Sequence, residues 1–350
     1  LQKWEEQDKS VLALWRKMNK WALDGFKETY KKFQIKHDVE FFESEIYRSG
    51  KEIVMKGVQD GIFIKREDGS VMVDLKKEGF GEKILLRGDG TSIYMTQDLY
   101  LAKLKQKAYK IDKSIYVVGN EQNYHFQVLF TLLKKLGFNT DELKHLSYGM
   151  VNLPEGRMKS REGTIVDADD LIKEVQNLVK KELKSRDKLS KKQLEDKSLN
   201  IALAAIKYIL LRVDTKKDMV FNPKESIDFE GETGPYLLYS YARACSILSK
   251  LKNKTSDSEK DLKELDYKEA ELVKKLEDFK DIVKKSFIEL NPSIIANYSY
   301  QLSKIFNEFY HACPVIGSEK QYFRVALVAS FKEVLGKSLT LMGIEPMEKM

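Results

Sequence analysis

Arg157, Lys159 and Arg161 bring three cations, and Ser160 a hydroxyl, into five consecutive residues of the segment 148–171, YGMVNLPEGRMKSREGTIVDADDL. Cations this close together can neutralise a polyphosphate, and the serine hydroxyl adds a hydrogen bond to it. A second set lies earlier. Tyr94 and Asp98 are four residues apart, a spacing that puts both on one face of a helix. A carboxylate beside a phenol suits a cationic substrate, because a guanidinium needs a planar acceptor with hydrogen-bond partners around it. Gln122 and His125 stand where another helical pattern begins, a place where backbone amides face a crevice. Plainer readings compete with each of these. A Lys/Arg cluster is commonly a solvated turn, a Tyr and Asp at this spacing are commonly surface residues, and a lone histidine is as often a satisfied structural one.

The elements that must carry these residues favour a ligand site. The apolar run 148–153 reads as a strand, Pro154, Glu155 and Gly156 as a turn, and Asp167 as a helix start. A basic loop between strand and helix lies at the carboxyl end of the strand, where ligands of open α/β sheets gather. Upstream, apolar residues recur at three and four over 4–33, and the tryptophans there are expected in a core. A helix over 52–59 follows, then a hairpin of 62–65 and 71–75 around Asp68-Gly69, taken as scaffold or insertion. Two βα units come next: strand 84–87 with helix 93–105 capped by Thr91 or Ser92, and strand 115–118 with helix 124–136 stopped by Gly137. A third strand over 146–151 leads into the basic loop. Beyond Asp167 strand signals nearly vanish, and breaks at the sparse prolines and glycines divide the rest into about five or six helices. The expected class is α/β followed by all-α.

Composition narrows the possibilities. The chain has 350 residues, enough for two or three domains, with 61 Lys and Arg against 54 Asp and Glu. That mild positive balance permits nucleic acid without requiring it. The most apolar stretch, 201–211, is short and contains Lys207, so no membrane span is expected. Cys245 and Cys313 form no CxxC and have no paired histidine spacing, which argues against zinc or a disulfide framework and fits a reducing cytoplasm. The first residue is Leu1 on an already amphipathic run, so the start reads as internal.

The segment 157–161 resembles the KMSKS-like signature loop of class I aminoacyl-tRNA synthetases, and most closely its form in the arginyl-tRNA synthetase family. Arg157 takes the place of the first lysine and Met158 that of the methionine, while the second lysine falls on Ser160 and charge moves onto Lys159 and Arg161. The stretch RGDGTSIYMTQD, 87–98, is similar to SDGTSTYLTRD of the same family. That resemblance implies that Tyr94, Asp98 and Gln122 hold the substrate arginine. It also puts His125 near the nucleotide, the backbone around Met150 and Val151 against adenine, and Met158 close by. ATP with Mg²⁺ is then the implied co-substrate, and no tightly bound cofactor or protein-held metal is expected.

Later segments extend the resemblance. In FEGETGPYLLYSYAR, 229–243, Tyr236, Tyr239 and Arg243 recur at three and four. Aromatic and arginine side chains on one face suit unstacked bases and phosphate, although core packing is the commoner use. This segment, FNEFY at 306–310 and GIEPMEKM at 343–350 are similar to the helical, DALR-type anticodon-binding domain of the family. The resemblance implies that Tyr236, Arg243, Tyr310 and Met350 meet the tRNA. Tyr310 also fits a helix core. The implied layout is the second half of a class I nucleotide-binding, Rossmann-type catalytic domain over 1–170, with the hairpin insertion near 61–75, then the anticodon-binding bundle over 171–350. None of the four histidines (His37, His125, His145 and His311) stands in a His-x-Gly-His-type motif, so a truncated chain, inactive alone, is the expectation. The parent would be a cytoplasmic monomer joining arginine to its tRNA. A non-catalytic tRNA-binding module is the rival reading, and another class I synthetase such as the cysteinyl enzyme a weaker one.

Overall fold

Asp8 caps the first long helix, its carboxylate accepting from the amides of Ser10 and Val11 at 2.9 and 3.0 Å. In the computed structural model, which describes residues 2–109, 111–152, 154, 167–186, 189–251 and 264–350, a short α1 (Gln2–Glu5) precedes α2 (Lys9–Phe33). Helix α2 ends on Gln34 in the left-handed region, φ 60°. Its periodicity is helical as expected, but several of its apolar residues are exposed. Leu12 is buried, whereas Leu14, Met18, Trp21 and Phe26 are exposed, Trp21 by 63%. Periodicity tells how apolar residues group on a helix and is silent on what covers them.

Contacts divide the chain into two compact units, one of residues 1–36 with 151–350 and one of residues 37–150. The smaller unit starts with α3 (Glu43–Gln59), which is closed by Gly61 at φ 70°. An antiparallel sheet follows, of β1 (Ile64–Lys65), β2 (Val71–Leu75) and β3 (Gly81–Leu86) in that order. The expected hairpin is β1 with β2. The expected strand near 84–87 is β3, but it folds back antiparallel on β2 instead of joining the later parallel strands. Gly79 and Gly81, at φ 84° and 67°, make that reversal. Helix α4 (Tyr94–Ala108) comes next, its N-cap being Ile93 with no side-chain bond. Neither Thr91 nor Ser92 caps it, because Thr91 accepts from Arg87 and Ser92 is bridged to Leu86.

Strand β4 (Ser114–Gly119), helix α5 (Asn123–Lys135) and strand β5 (Leu143–Tyr148) then form a right-sized βαβ unit, with β4 and β5 parallel. Gly137 at φ 83° stops α5, as the sequence indicates. The core of the smaller compact unit includes Leu75, Leu85, Leu99, Leu129 and Leu132, all fully buried.

The strand expected over 146–151 is divided. Leu143–Tyr148 pairs with β4, whereas β6 (Val151–Asn152) belongs to the larger unit and pairs in parallel with β7 (Met219–Val220). The amide of Phe221 extends that pairing to the Asn152 carbonyl at 2.8 Å.

Helices α6 (Ala168–Arg186), α7 (Lys191–Arg212), α8 (Pro223–Ser226), α9 (Gly234–Ser249), α10 (Tyr267–Glu277), α11 (Phe279–Glu289), α12 (Ser293–Ala312) and α13 (Gln321–Leu341) build the rest of the larger unit. Eight helices among the described residues exceed the five or six expected, since α8 is one turn and Asp278 separates α10 from α11. Helix α7 is the central one. Ile201, Ala202, Leu203, Ala204, Ala205 and Ile206 are all buried, so it is covered all round. Helix α9 crosses it very closely, because a Cβ at Gly234 would stand 2.1 Å from the Ala204 carbonyl oxygen. Phe306 of α12 and Phe331 of α13 stack at 3.6 Å between centroids. Among the described residues no helix is long and apolar enough to cross a membrane.

Candidate functional site

In the smaller unit, the segment 87–98 is a turn tied to itself. The Asp89 carboxylate accepts from the Thr91 amide at 2.9 Å, and that amide with the Thr91 hydroxyl holds the Asp89 carboxyl below its usual range. Arg87 reaches across the turn to the Thr91 hydroxyl and the Ser92 carbonyl at 3.0 and 3.2 Å. Helix α4 therefore starts from a fixed frame, and Thr96 anchors its first turn by donating to the Leu85 carbonyl.

That frame presents Tyr94, 73% exposed, and Asp98 one turn later. Asp98 does not stand alone. Its Oδ2 lies 2.6 Å from Nε2 of His125, which belongs to the first turn of α5. With the carboxylate as acceptor, Nε2 carries the proton. His125 packs edge-on to Phe126, and Phe126 stacks on His145 at 4.3 Å. The contact ties α4 to α5 and leaves the other carboxylate oxygen for a ligand. Gln122 ends a 3-10 turn (Asn120–Gln122) just before α5 and is exposed. Lys105, on the same helix as Asp98, lies 3.9 Å above the Tyr116 ring; burial lowers its pKa, against the pull of Asp98.

Met150 and Val151 are half-buried and fall on different units, Val151 with its backbone in β6. Arg157, Met158, Lys159, Ser160 and Arg161 lie outside the described residues.

The larger unit holds an open groove of about 980 Å³, lined by α7, α9, α12 and the last residues of the chain. Tyr239, Arg243, Tyr310 and Met350 all face it, together with Gln193 and Lys197 of α7. The Arg243 guanidinium carbon lies 4.7 Å from the Tyr239 ring centroid and 5.1 Å from that of Tyr310. Cation–π attraction of this kind holds the guanidinium against both rings. Its N–H groups donate to Asn307 Oδ1 at 2.5 Å and to the Tyr239 hydroxyl at 3.0 Å. Tyr236 lies outside this groove. It lines a second one of about 560 Å³ that shares Tyr239 and Arg243, and its ring meets Tyr300 at 5.6 Å. Burial pushes the Tyr236 phenol up.

The tail reaches the groove because it is anchored along its length. Lys207 donates to the Gly343 carbonyl, Gln34 to Glu345 at 3.0 Å, and Met347 and Met350 rest on the helical core. Asn307 did not stand out in the sequence. Its signal is its place in FNEFY, one turn before Tyr310 on the same helix face.

Residues 1–223 match the model of the family described as tRNA synthetases class I (R), catalytic domain. The chain belongs to the arginyl-tRNA synthetase family. Residues 237–350 match a second description, DALR anticodon binding domain, which contains the Arg243, Tyr310 and Met350 groove residues. Curated arginine–tRNA ligases of this family are close in sequence. That of Bacteroides thetaiotaomicron is 49% identical over 360 residues, covering 100% of this chain and 60% of the relative. That of Treponema denticola is 48% identical over 363 residues, covering 99% of this chain and 61% of the relative. The chain thus spans about 60% of the length of these synthetases. The solved Thermus thermophilus arginyl-tRNA synthetase has the same fold, with a TM-score of 0.82 at 22% identity over 99% of this chain and 68% of that one. The expected class, a class I catalytic domain with a helical anticodon-type domain, holds for this family member.

Proposed function

We propose that the protein to which this chain belongs joins arginine to its tRNA in two steps. The arginine carboxylate attacks the α-phosphorus of ATP, breaking the bond to the bridging oxygen and releasing pyrophosphate. A terminal ribose hydroxyl of the tRNA then takes the arginyl group from the adenylate and releases AMP. Positioning and charge neutralisation carry such a reaction, since little covalent chemistry is asked of the protein. The observation that carries the reading is the presence, in one chain, of the catalytic-domain match over 1–223 and the anticodon-domain match over 237–350.

In this reading Asp98 accepts from the arginine guanidinium with its free oxygen while His125 holds the other, and Tyr94 and Gln122 close the site. The Asp98 to His125 distance of 2.6 Å supports a role for His125 at the arginine end rather than beside the nucleotide. Arg157, Lys159, Ser160 and Arg161 neutralise the leaving pyrophosphate, which arrives as the Mg²⁺ complex of ATP, and Met150, Val151 and Met158 border adenine. Arg243, Tyr310 and Met350 meet the anticodon, with Tyr236 behind them. The catalytic part ends near 170 and the tRNA-reading part begins there. The working protein is a cytoplasmic monomer.

Two measurements test this. Binding of the chain to an arginine tRNA transcript, and to the same transcript with altered anticodon bases, is followed across a salt series. Loss of affinity on the anticodon change that persists as salt rises supports base reading; equal and steeply salt-dependent binding leaves charge attraction alone. Arginine-dependent ATP–pyrophosphate exchange, assayed after adding the amino-terminal 40% of the Bacteroides relative that this chain does not match, tests the catalytic part. No exchange in the reconstituted mixture, with both pieces folded and associated, counts against it.

A further inference from the structure

Arg243 faces the groove, and the side chain that holds it from α12 through a hydrogen bond is a neutral amide. Asn307 Oδ1 accepts from Arg243 Nη1 at 2.5 Å, while Asn307 Nδ2 donates to the Tyr236 hydroxyl and to the Ser240 hydroxyl, each at 3.0 Å. The orientation of the amide is decided by chemistry. A guanidinium has donors only, so the carbonyl oxygen must face it, and the NH₂ must then face the two hydroxyls. Ser240 is fully buried and passes its own proton to the Tyr236 carbonyl at 2.9 Å. The amide is therefore locked on its far side by α9 and aims its oxygen at the Arg243 guanidinium.

We infer that Asn307 is a positioning residue for anticodon reading: it fixes the Arg243 guanidinium against Tyr239 and Tyr310, so that the remaining N–H donors meet an RNA group without a search through rotamers. This rests on the anticodon reading proposed above and adds to it the residue that sets the geometry. A loose arginine loses side-chain freedom on binding, a cost that prior immobilisation removes. It also binds phosphate from many directions, which adds affinity for any RNA alike. A fixed guanidinium favours one placement of acceptors, and half-exposed tyrosine faces beside it give unstacked bases a surface. Tyr239 and Tyr310 are 41% and 38% exposed. A neutral holder suits the task because, unlike a carboxylate, it leaves the positive charge of Arg243 for the RNA.

The test uses the whole chain, the arginine tRNA transcript and its anticodon variant, at a salt concentration where wild type discriminates between them. Asn307→Leu keeps the shape and removes both hydrogen-bonding ends. Asn307→Asp keeps an acceptor for Arg243, and the Tyr236 and Ser240 hydroxyls can turn to donate to it. Ile295→Val, in the same helix α12 and away from the groove, serves as a control for lowered stability. The expected loss for Asn307→Leu is about tenfold in the ratio of dissociation constants; Asn307→Asp offsets the Arg243 charge and weakens binding of both transcripts alike, while its ratio stays within about threefold of wild type. Ile295→Val is expected to lower the melting temperature and leave the ratio unchanged. In parallel, ¹⁵N NMR of the arginine side chains should give Arg243 hindered guanidinium rotation in wild type and Asn307→Asp, and free rotation in Asn307→Leu. Unchanged discrimination in Asn307→Leu overturns the inference and leaves the anticodon reading standing. Equal loss in Asn307→Leu and Asn307→Asp, or a matching loss in Ile295→Val, also overturns it, because the role is then structural. Absence of discrimination in the wild-type chain overturns both.

Discussion

Asp98 sits between two demands, a bond to His125 and, in the proposed reaction, a bond to the guanidinium of arginine. Truncating one member of a hydrogen-bonded charge pair costs about 2 kcal/mol or more, about thirtyfold in affinity. Asp98→Ala should therefore raise the arginine concentration for half-maximal pyrophosphate exchange by at least that factor. His125→Ala should raise it less, since the carboxylate remains. An unchanged arginine requirement in Asp98→Ala removes this residue from the site. Glu269 makes a different prediction because its role is in the fold. It is fully buried, 2.6 Å from Arg324 Nε and 3.2 Å from Lys320, and it accepts from the Asp266 amide at 2.8 Å. Burial pushes its carboxyl up, but the Asp266 amide, Arg324 and Lys320 outweigh burial and hold it below the usual range. The folded state then binds fewer protons than the unfolded one, so stability rises with pH through this window. The contribution is complete above the unfolded value of about 4.3 and is lost as pH falls through the lower folded value. Glu269→Gln should cost about 3 kcal/mol at neutral pH, because it removes the buried negative charge that faces two cations and replaces one carboxylate oxygen by an NH₂ donor. The gap to wild type should close in acid, which urea unfolding at pH 7 and pH 3 would measure.

At the scale of elements, the groove depends on where α9 crosses α7. Thr233 caps α9, accepting from the Tyr236 amide at 3.3 Å and donating to the Asp228 carbonyl. Gly234 lets the next turn lie against Ala204. A methyl group at Gly234 collides with backbone, so the helices must separate. Gly234→Ala should destabilise the larger unit by about 2 kcal/mol or more, and because α9 carries Tyr239 and Arg243 it should weaken tRNA binding as well. Thermal melts and the binding series together check this. A loss of stability with unaltered binding would mean that α9 keeps its place by another route. The segment GETGPY is legible as a turn that sets up a helix, and the structure adds the local cause, the Thr233 capping hydroxyl and a proline in the first turn. That its glycine is a contact point between helices is not legible there, because the partner, Ala204, is thirty residues earlier. The exposed face of α2 has the same moral: Met18 and Trp21 have the right spacing for a core and stay exposed among the described residues.

For the molecule as a whole, each compact unit has its own apolar core, one centred on α7, α9, α12 and α13, the other on β2, α4 and α5. Separate cores predict separate cooperative transitions. Calorimetry should resolve two, and Leu132→Ala, at a fully buried position of the smaller unit, should lower one of them by about 2 to 5 kcal/mol in stability and leave the other in place. A single transition shifted as one would mean that the units unfold together.

The sequence by itself determined the kinds of element and the family. Helical periodicity, turn glycines and the order of RGDGTSIYMTQD, RMKSR, GETGPYLLYSYAR and FNEFY are local properties, and local chemistry writes them. It also put Arg243, Tyr310 and Met350 forward together, through resemblance, as tRNA-facing residues. Tertiary structure decided what each of them touches. The division of 146–152 between two pairings, the Asp98 to His125 bond and the clasp of Asn307 on Arg243 are contacts between segments distant in the chain, while the fold-back of β3 onto β2 is local and was decided by which neighbour β3 pairs with. Side-chain chemistry allows many such partners, and only packing in three dimensions selects among them, because each contact must be made together with the burial around it.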